Sequence, residues 1–154
     1  MKDERKHVKT AWVSKGKGNI VKKPWGFEET WPGFSGIHGK TLFIKAGTRT
    51  SLKYHQLKME VLFIRSGRAE VTYGSEHSLE DSESDPMMTA TLEHGDFLLV
   101  QSGCPYRISA LENCEIIEIG NHLSDPPVRI DDDYGRKVKS DAIKMGEGNQ
   151  NENT

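Results

Sequence analysis

Several things are scarce in this 154-residue chain, and each scarcity closes off a class of protein. There are only 2 cysteines, Cys104 and Cys114, with no Cys-x-x-Cys spacing. A disulfide-stapled secreted scaffold and a cysteine zinc site are therefore disfavoured, and two reduced, half-buried thiols are expected. Hydrophobic residues make up only 34% of the chain, and no apolar run approaches the roughly 20 residues that span a bilayer. The N-terminus has no apolar signal core after its charges, so a cytoplasmic protein without a membrane partner is expected. Excess charge of one sign is also missing. Lys and Arg number 21 against 23 Asp and Glu, a formal net charge of -2, which gives no global field for a nucleic-acid backbone.

What the chain does contain is a rhythm of short β-forming segments. From residue 40 onward, runs rich in Val, Ile, Leu, Phe and Thr recur at about 40–46, 51–55, 60–66, 68–73, 88–92, 96–100, 106–110 and 114–120. Gly-containing turns separate them, at Ala46-Gly47, Ser66-Gly67, Tyr73-Gly74, His94-Gly95 and Ser102-Gly103. Eight short strands without helical periodicity predict an all-β jelly roll or small barrel, and an immunoglobulin-type sandwich would give the same spacing. The polar ends predict a flexible N-terminal tail over 1–19 and a disordered tail over 139–154 around one domain at 20–138. Residues 75–87 are acidic and too long for a tight hairpin, which predicts a mobile loop, either inert or a lid. The Pro126-Pro127 pair should end any strand, leaving a turn-rich polar arm beyond it. Trp12, Trp25, Phe27 and Trp31 crowd the segment before the first run and suggest a hydrophobic arm that covers the barrel or a second copy.

Three motifs in order carry a resemblance. Lys23-Pro24-Trp25-Gly26 is the first. Ala46-Gly47-Thr48-Arg49-Thr50-Ser51-Leu52-Lys53-Tyr54-His55, continuing to Glu60 and Ser66-Gly67, is the second. Gly95-Asp96 with Ser102-Gly103-Cys104-Pro105-Tyr106-Arg107 is the third, and Asp132-Asp133-Tyr134-Gly135-Arg136 closes the series. Together they resemble the cupin domain of type II mannose-6-phosphate isomerases, often fused to mannose-1-phosphate guanylyltransferases, over about residues 23–136. The resemblance implies a cupin double-stranded β-helix with an N-terminal arm, pairing as a homodimer through that arm. It also implies a divalent metal held by two histidines two residues apart, a carboxylate and a third histidine. His55 and Glu60 stand at the first histidine and carboxylate positions, but Leu57 and Tyr106 occupy the other two. Leucine cannot ligate, and a neutral tyrosine is a poor ligand, so no cofactor is expected; a metal, if one binds, would sit on His55 and Glu60.

Strand alternation from His55 places Lys53 and Leu57 on its face, and places Tyr106 and Ile108 inward with Arg107 outward or at the rim. Lys53 and Glu60 facing one pocket would be natural partners, because an isolated buried ammonium is costly. The predicted catalytic set is therefore His55, Glu60, Lys53 and Tyr106, with Arg49, Lys53 and Arg107 binding substrate. Such groups can hydrogen-bond a polyol and attract a phosphate. The expected activity is isomerisation or epimerisation of a sugar phosphate or nucleotide-linked sugar, with His55 or Glu60 as base and Lys53 or Tyr106 polarising the carbonyl. The alternative is a non-catalytic cupin that binds a sugar or small acid as a sensor or assembly partner.

Overall fold

A computed structural model describes residues 12–121 and 124–139. The expected tails lie largely outside these residues, at 1–11 and 140–154. Among the described residues, eleven strands form two antiparallel sheets. They are β1 Asn19–Lys23, β2 Gly26–Thr30, β3 His38–Ile44, β4 Leu52–Tyr54, β5 Glu60–Ser66, β6 Ala69–Tyr73, β7 Met88–Leu92, β8 Phe97–Val100, β9 Tyr106–Ala110, β10 Cys114–Gly120 and β11 Val128–Asp131. One sheet runs β1-β2-β3-β10-β5-β8, the other β11-β4-β9-β6-β7. The inward positions of both meet in one core containing Leu42, Ile44, Leu62, Ile64, Val71, Ile108 and Ile116. Burial of side chains of this size stabilises the fold by about 1.5–3 kcal/mol each.

The eight predicted strands are all present, within two residues at each end. Three more were not expected. β1 and β2 form a hairpin that extends β3, with Lys23 paired to Gly26 and Phe27 to Phe43. Their sequences are charged and half-exposed, so no apolar run marks them. The Pro-Trp-Gly motif is the rivet of this hairpin. Trp25 is 3% exposed, and its carbonyl accepts from Lys45 N at 2.9 Å and Thr48 Oγ1 at 3.1 Å. Gly26 has φ 149°, and a Cβ there would lie 1.9 Å from the Phe43 carbonyl oxygen, so only glycine fits.

The third unexpected strand, β11, begins directly after Pro126-Pro127 and pairs with β4, where a polar arm was expected. Its partners supply the backbone hydrogen bonds that its short, charged sequence does not advertise. The stretch 75–87, expected as a long acidic loop, contains local structure. It holds a 3-10 turn, Glu76–Leu79, capped by Ser75, whose hydroxyl also bonds the Asp85 carboxylate. Both cysteines are free. No helix among the described residues is long and apolar enough to cross a membrane.

Candidate functional site

The charged site grows out of three neighbouring strands. On β3, β10 and β5 the inward residues change from hydrocarbon to charge at one end of the barrel. Lys40 pairs with Glu118, His38 with Gly120, and Gly120 with Glu60 in the strand register. Glu60 is the hub. Its Oε1 lies 2.9 Å from His55 Nε2 and 2.6 Å from Lys58 Nζ, and its Oε2 accepts the Tyr106 hydroxyl at 2.5 Å. Lys58 Nζ also donates to Glu118 Oε1 at 2.7 Å, and Lys40 Nζ joins Glu28 at 2.9 Å and Glu118 at 3.7 Å. Lys53 Nζ points into the barrel over the Tyr106 ring, 5.5 Å from its centroid. Three lysines and three glutamates thus balance one another in the interior, as buried charges require.

The electrostatics follow from that geometry. Burial alone would raise the Glu60 carboxyl, but the His55 contact and the positive charges of Lys58 and Lys53 outweigh it and hold it well below the usual carboxylate range. Burial lowers the Lys53 ammonium, and the negative charges of Glu118 and Glu60 only partly offset this. Burial, reinforced by the charges of Glu60 and Glu118, pushes the Tyr106 phenol well up, so it stays a neutral donor. Lys40 goes the other way. Its burial penalty is exceeded by Glu118 and Glu28, and its ammonium is raised.

Asp125 sets the position of the lysine-bearing loop. Its Oδ2 accepts from the backbone N–H groups of Leu57 and Lys58, each at 2.7 Å, and its backbone carbonyl accepts from His55 Nδ1 at 2.9 Å. A carbonyl only accepts, so that ring nitrogen carries the hydrogen. Above this cluster opens a pocket of about 490 Å³, lined by Trp31, His38, Lys40, His55, Lys58 and Asp125, together with Pro126 and Pro127. His38 contributes a buried Nε2 without a hydrogen-bond partner, and burial and the neighbouring Lys58 lower its pKa, so it is a neutral imidazole at pH 7. Gly120 makes the room: a Cβ there would sit 2.6 Å from Lys58 Cε and 2.8 Å from His38 Nε2.

Of the residues singled out from sequence, His55, Glu60, Lys53 and Tyr106 converge, but only His55 lines the pocket; the other three lie behind it. Lys53 and Glu60 interact through space without a direct ion pair, because Lys58 takes that place. Leu57 does not face inward with His55. β4 ends at Tyr54, alternation lapses, and Leu57 is 61% exposed while Lys58 turns in. Arg107 is not outward or at the rim. It is buried beneath β11, donating to Thr50 O at 2.9 Å and to the Asp131 carboxylate at 2.8 Å. Arg49 is clamped by Asp133 at 2.6 and 2.8 Å, and neither arginine lines the pocket. Sequence reasoning missed His38, Lys40, Lys58, Glu118 and Asp125.

The metal implied by the resemblance does not fit these residues. The ammonium of Lys58 sits against the Glu60 carboxylate, where it would repel a divalent cation, and Tyr106 donates its hydrogen to the other oxygen. Among the described residues, no three His, Cys, Asp or Glu side chains are grouped to hold a metal ion.

No protein-family model and no curated protein matches the sequence. Solved structures do match, and they are cupins, so the fold is the cupin β-barrel. One is an oxalate decarboxylase of Lactobacillus farciminis in complex with formate, with 20% identity and TM-score 0.60, covering 75% of this chain and 35% of that one. Another is KdgF from Halomonas sp., with 13% identity and TM-score 0.56, covering 68% of this chain and 88% of that one. A third is procruciferin, an 11S globulin of Brassica napus, with 14% identity and TM-score 0.60, covering 74% and 30%. The chain thus spans about a third of the length of the decarboxylase and the globulin. These proteins range from enzymes to globulins, so the likeness carries the fold and not the chemistry.

Proposed function

We propose that the barrel binds a sugar phosphate or nucleotide-linked sugar and isomerises or epimerises it without a metal, in the cytoplasm, as part of carbohydrate metabolism. One observation carries this reading: a pocket of about 490 Å³ in which two imidazoles and two lysine ammonium groups meet beside Trp31. That volume lies within the range of small-molecule sites. The ammonium N–H groups not spent on glutamates can donate to substrate oxygens, and the indole offers a face to a sugar ring. Moving a proton between neighbouring carbons needs a base and a donor to the carbonyl oxygen. His38, neutral and with a free Nε2, suits the base. Lys58, fixed between Glu60 and Glu118, suits the donor. His55 joins them at the wall, with Glu60, Lys53 and Tyr106 as its support.

A second reading, a non-catalytic binding barrel, is favoured by one specific observation: both ring nitrogens of His55 already face acceptors, Asp125 O and Glu60 Oε1. The two readings part in one experiment. Hexose phosphates and nucleotide-linked keto-sugars are assayed for conversion with chelator present, and for binding by calorimetry. Turnover lost in His38→Ala and Lys58→Met supports the enzyme. Binding without turnover supports the second reading, and neither binding nor turnover sinks both.

A further inference from the structure

The five-stranded sheet carries a second charged row, deeper than the pocket. Arg129 pairs with Lys53, and Lys53 pairs with Tyr106, in the strand register. Residues opposite one another on neighbouring antiparallel strands point to the same face, about 4.5–5.5 Å apart at Cβ. Tyr106 is 1% exposed and belongs to the core, so Lys53 and Arg129 face inward beside it. The next inward step along the two chain segments is His55 and Pro127, and both line the pocket. The row therefore lies about 7 Å beneath the pocket wall, two residues down each strand. Both cations are half-buried, so solvent still reaches them.

Arg129 differs from its neighbours in having no counter-charge. Arg49 is clamped by Asp133, Arg136 by Asp132 and Arg107 by Asp131. The register shifts between Arg129 and Asp131, which turns Asp131 to the opposite face, onto Arg107. The Nε of Arg129 is buried without a hydrogen-bond partner, a costly state for a charged donor. Among the described residues no carboxylate forms an ion pair with Arg129 or Lys53. The buried glutamates are already engaged, Glu28 by Lys40, and Glu118 and Glu60 by Lys58. Those three glutamates balance three lysines, and Arg129 is one cation more.

We propose that Lys53 and Arg129 seat the terminal oxyanion of a small ligand, a carboxylate or phosphate group, on the floor of the pocket. The guanidinium fork matches two oxygens of such a group, and the ammonium takes a further one as a point charge. The anion gives the Arg129 Nε its acceptor and offsets the surplus positive charge. The seat rests on the sugar reading only for the rest of the ligand, the part that would lie above it beside Trp31. An anion alone tests the seat and turnover tests the sugar, so either can fail without the other.

Calorimetry on the full chain at low ionic strength, with inorganic phosphate and separately with acetate, tests this. At least one of the two should bind at one site per chain, and the tighter names the anion. Arg129→Gln and Lys53→Met should each weaken that binding by about 10-fold or more, the effect of losing a charge-assisted hydrogen bond. Arg68→Gln, at an exposed arginine paired with Glu112, should bind as the wild type does. Neither anion binding at millimolar concentration, wild-type affinity in Arg129→Gln or Lys53→Met, or an equal loss in Arg68→Gln would each overturn the proposal. Should Arg129→Gln fail to fold, nuclear magnetic resonance of the wild type decides. An Arg129 Nε–H signal that shifts with added anion while those of Arg49 and Arg136 stay still supports the seat, and an unmoved Arg129 signal overturns it.

Discussion

The two ends of this barrel are built by the same strands and obey different physics. Along β10 the inward residues read Cys114, Ile116, Glu118, Gly120; along β3 they read Ile44, Leu42, Lys40, His38; along β5, Ile64, Leu62, Glu60. Within two residues a hydrocarbon core becomes a salt-bridged one, at the same level on all three strands. The apolar end is held by area removed from water and is insensitive to pH. The charged end is held only as long as every partner is present, because a lone buried ion costs far more than a well-made pair returns. A cluster of this kind is poor support for the fold and good support for chemistry, since it fixes donors and charges before a ligand arrives.

The largest separation of the two ends should come from Glu60→Ala. It leaves Lys58, His55 and Tyr106 without their shared acceptor, and urea unfolding should show a loss of about 3–5 kcal/mol. Ile116→Ala, at 0% exposure in the apolar end, should cost about 3 kcal/mol from lost transfer energy and the cavity left behind, by the same amount at pH 7 and pH 5. A Glu60→Ala effect no greater than that of an exposed residue would mean the hub carries no structural weight. The smallest but most specific effect is in the acid limb. The Glu60 pKa is depressed on folding, so its contribution is complete above the unfolded carboxylate value of about 4.3 and is lost as pH falls below it. The wild type should therefore lose stability steeply below about pH 4.3, Ile116→Ala should keep that slope, and Glu60→Leu should flatten it. Parallel acid limbs in all three would assign the acid sensitivity elsewhere.

Much of the fold was legible because turns and alternating runs are local signals. The eight central strands and their glycine turns could be placed from the chain alone, while β1, β2 and β11 could not, since their pairing partners and not their own residues make them strands. The site was half legible. His55, Glu60 and Tyr106 were reached through the motif, and Lys53 through alternation along β4. Lys58 was lost because alternation was carried past Tyr54 into a loop whose direction is set by Asp125, some 67 residues away. Glu118 and Lys40 were within reach of the same period-two rule: each occupies an inward position in a strand otherwise apolar there, a signal that only becomes visible once Ile116 and Leu42 are known to face the core. Arg107 was misplaced because its strand has a cover, β11, that hides the face expected to meet solvent.

The outward turn of Leu57 constrains what this barrel could become. A histidine introduced there would project into water, since Asp125 grips the backbone at both 57 and 58 and keeps Lys58 inside. Building a metal centre here thus takes coordinated change at several positions, with the intermediate steps burying an unpaired charge. The lysine acts as a latch: with its ammonium held against Glu60 and its backbone gripped by Asp125, no single substitution at position 57 turns this pocket into a metal site.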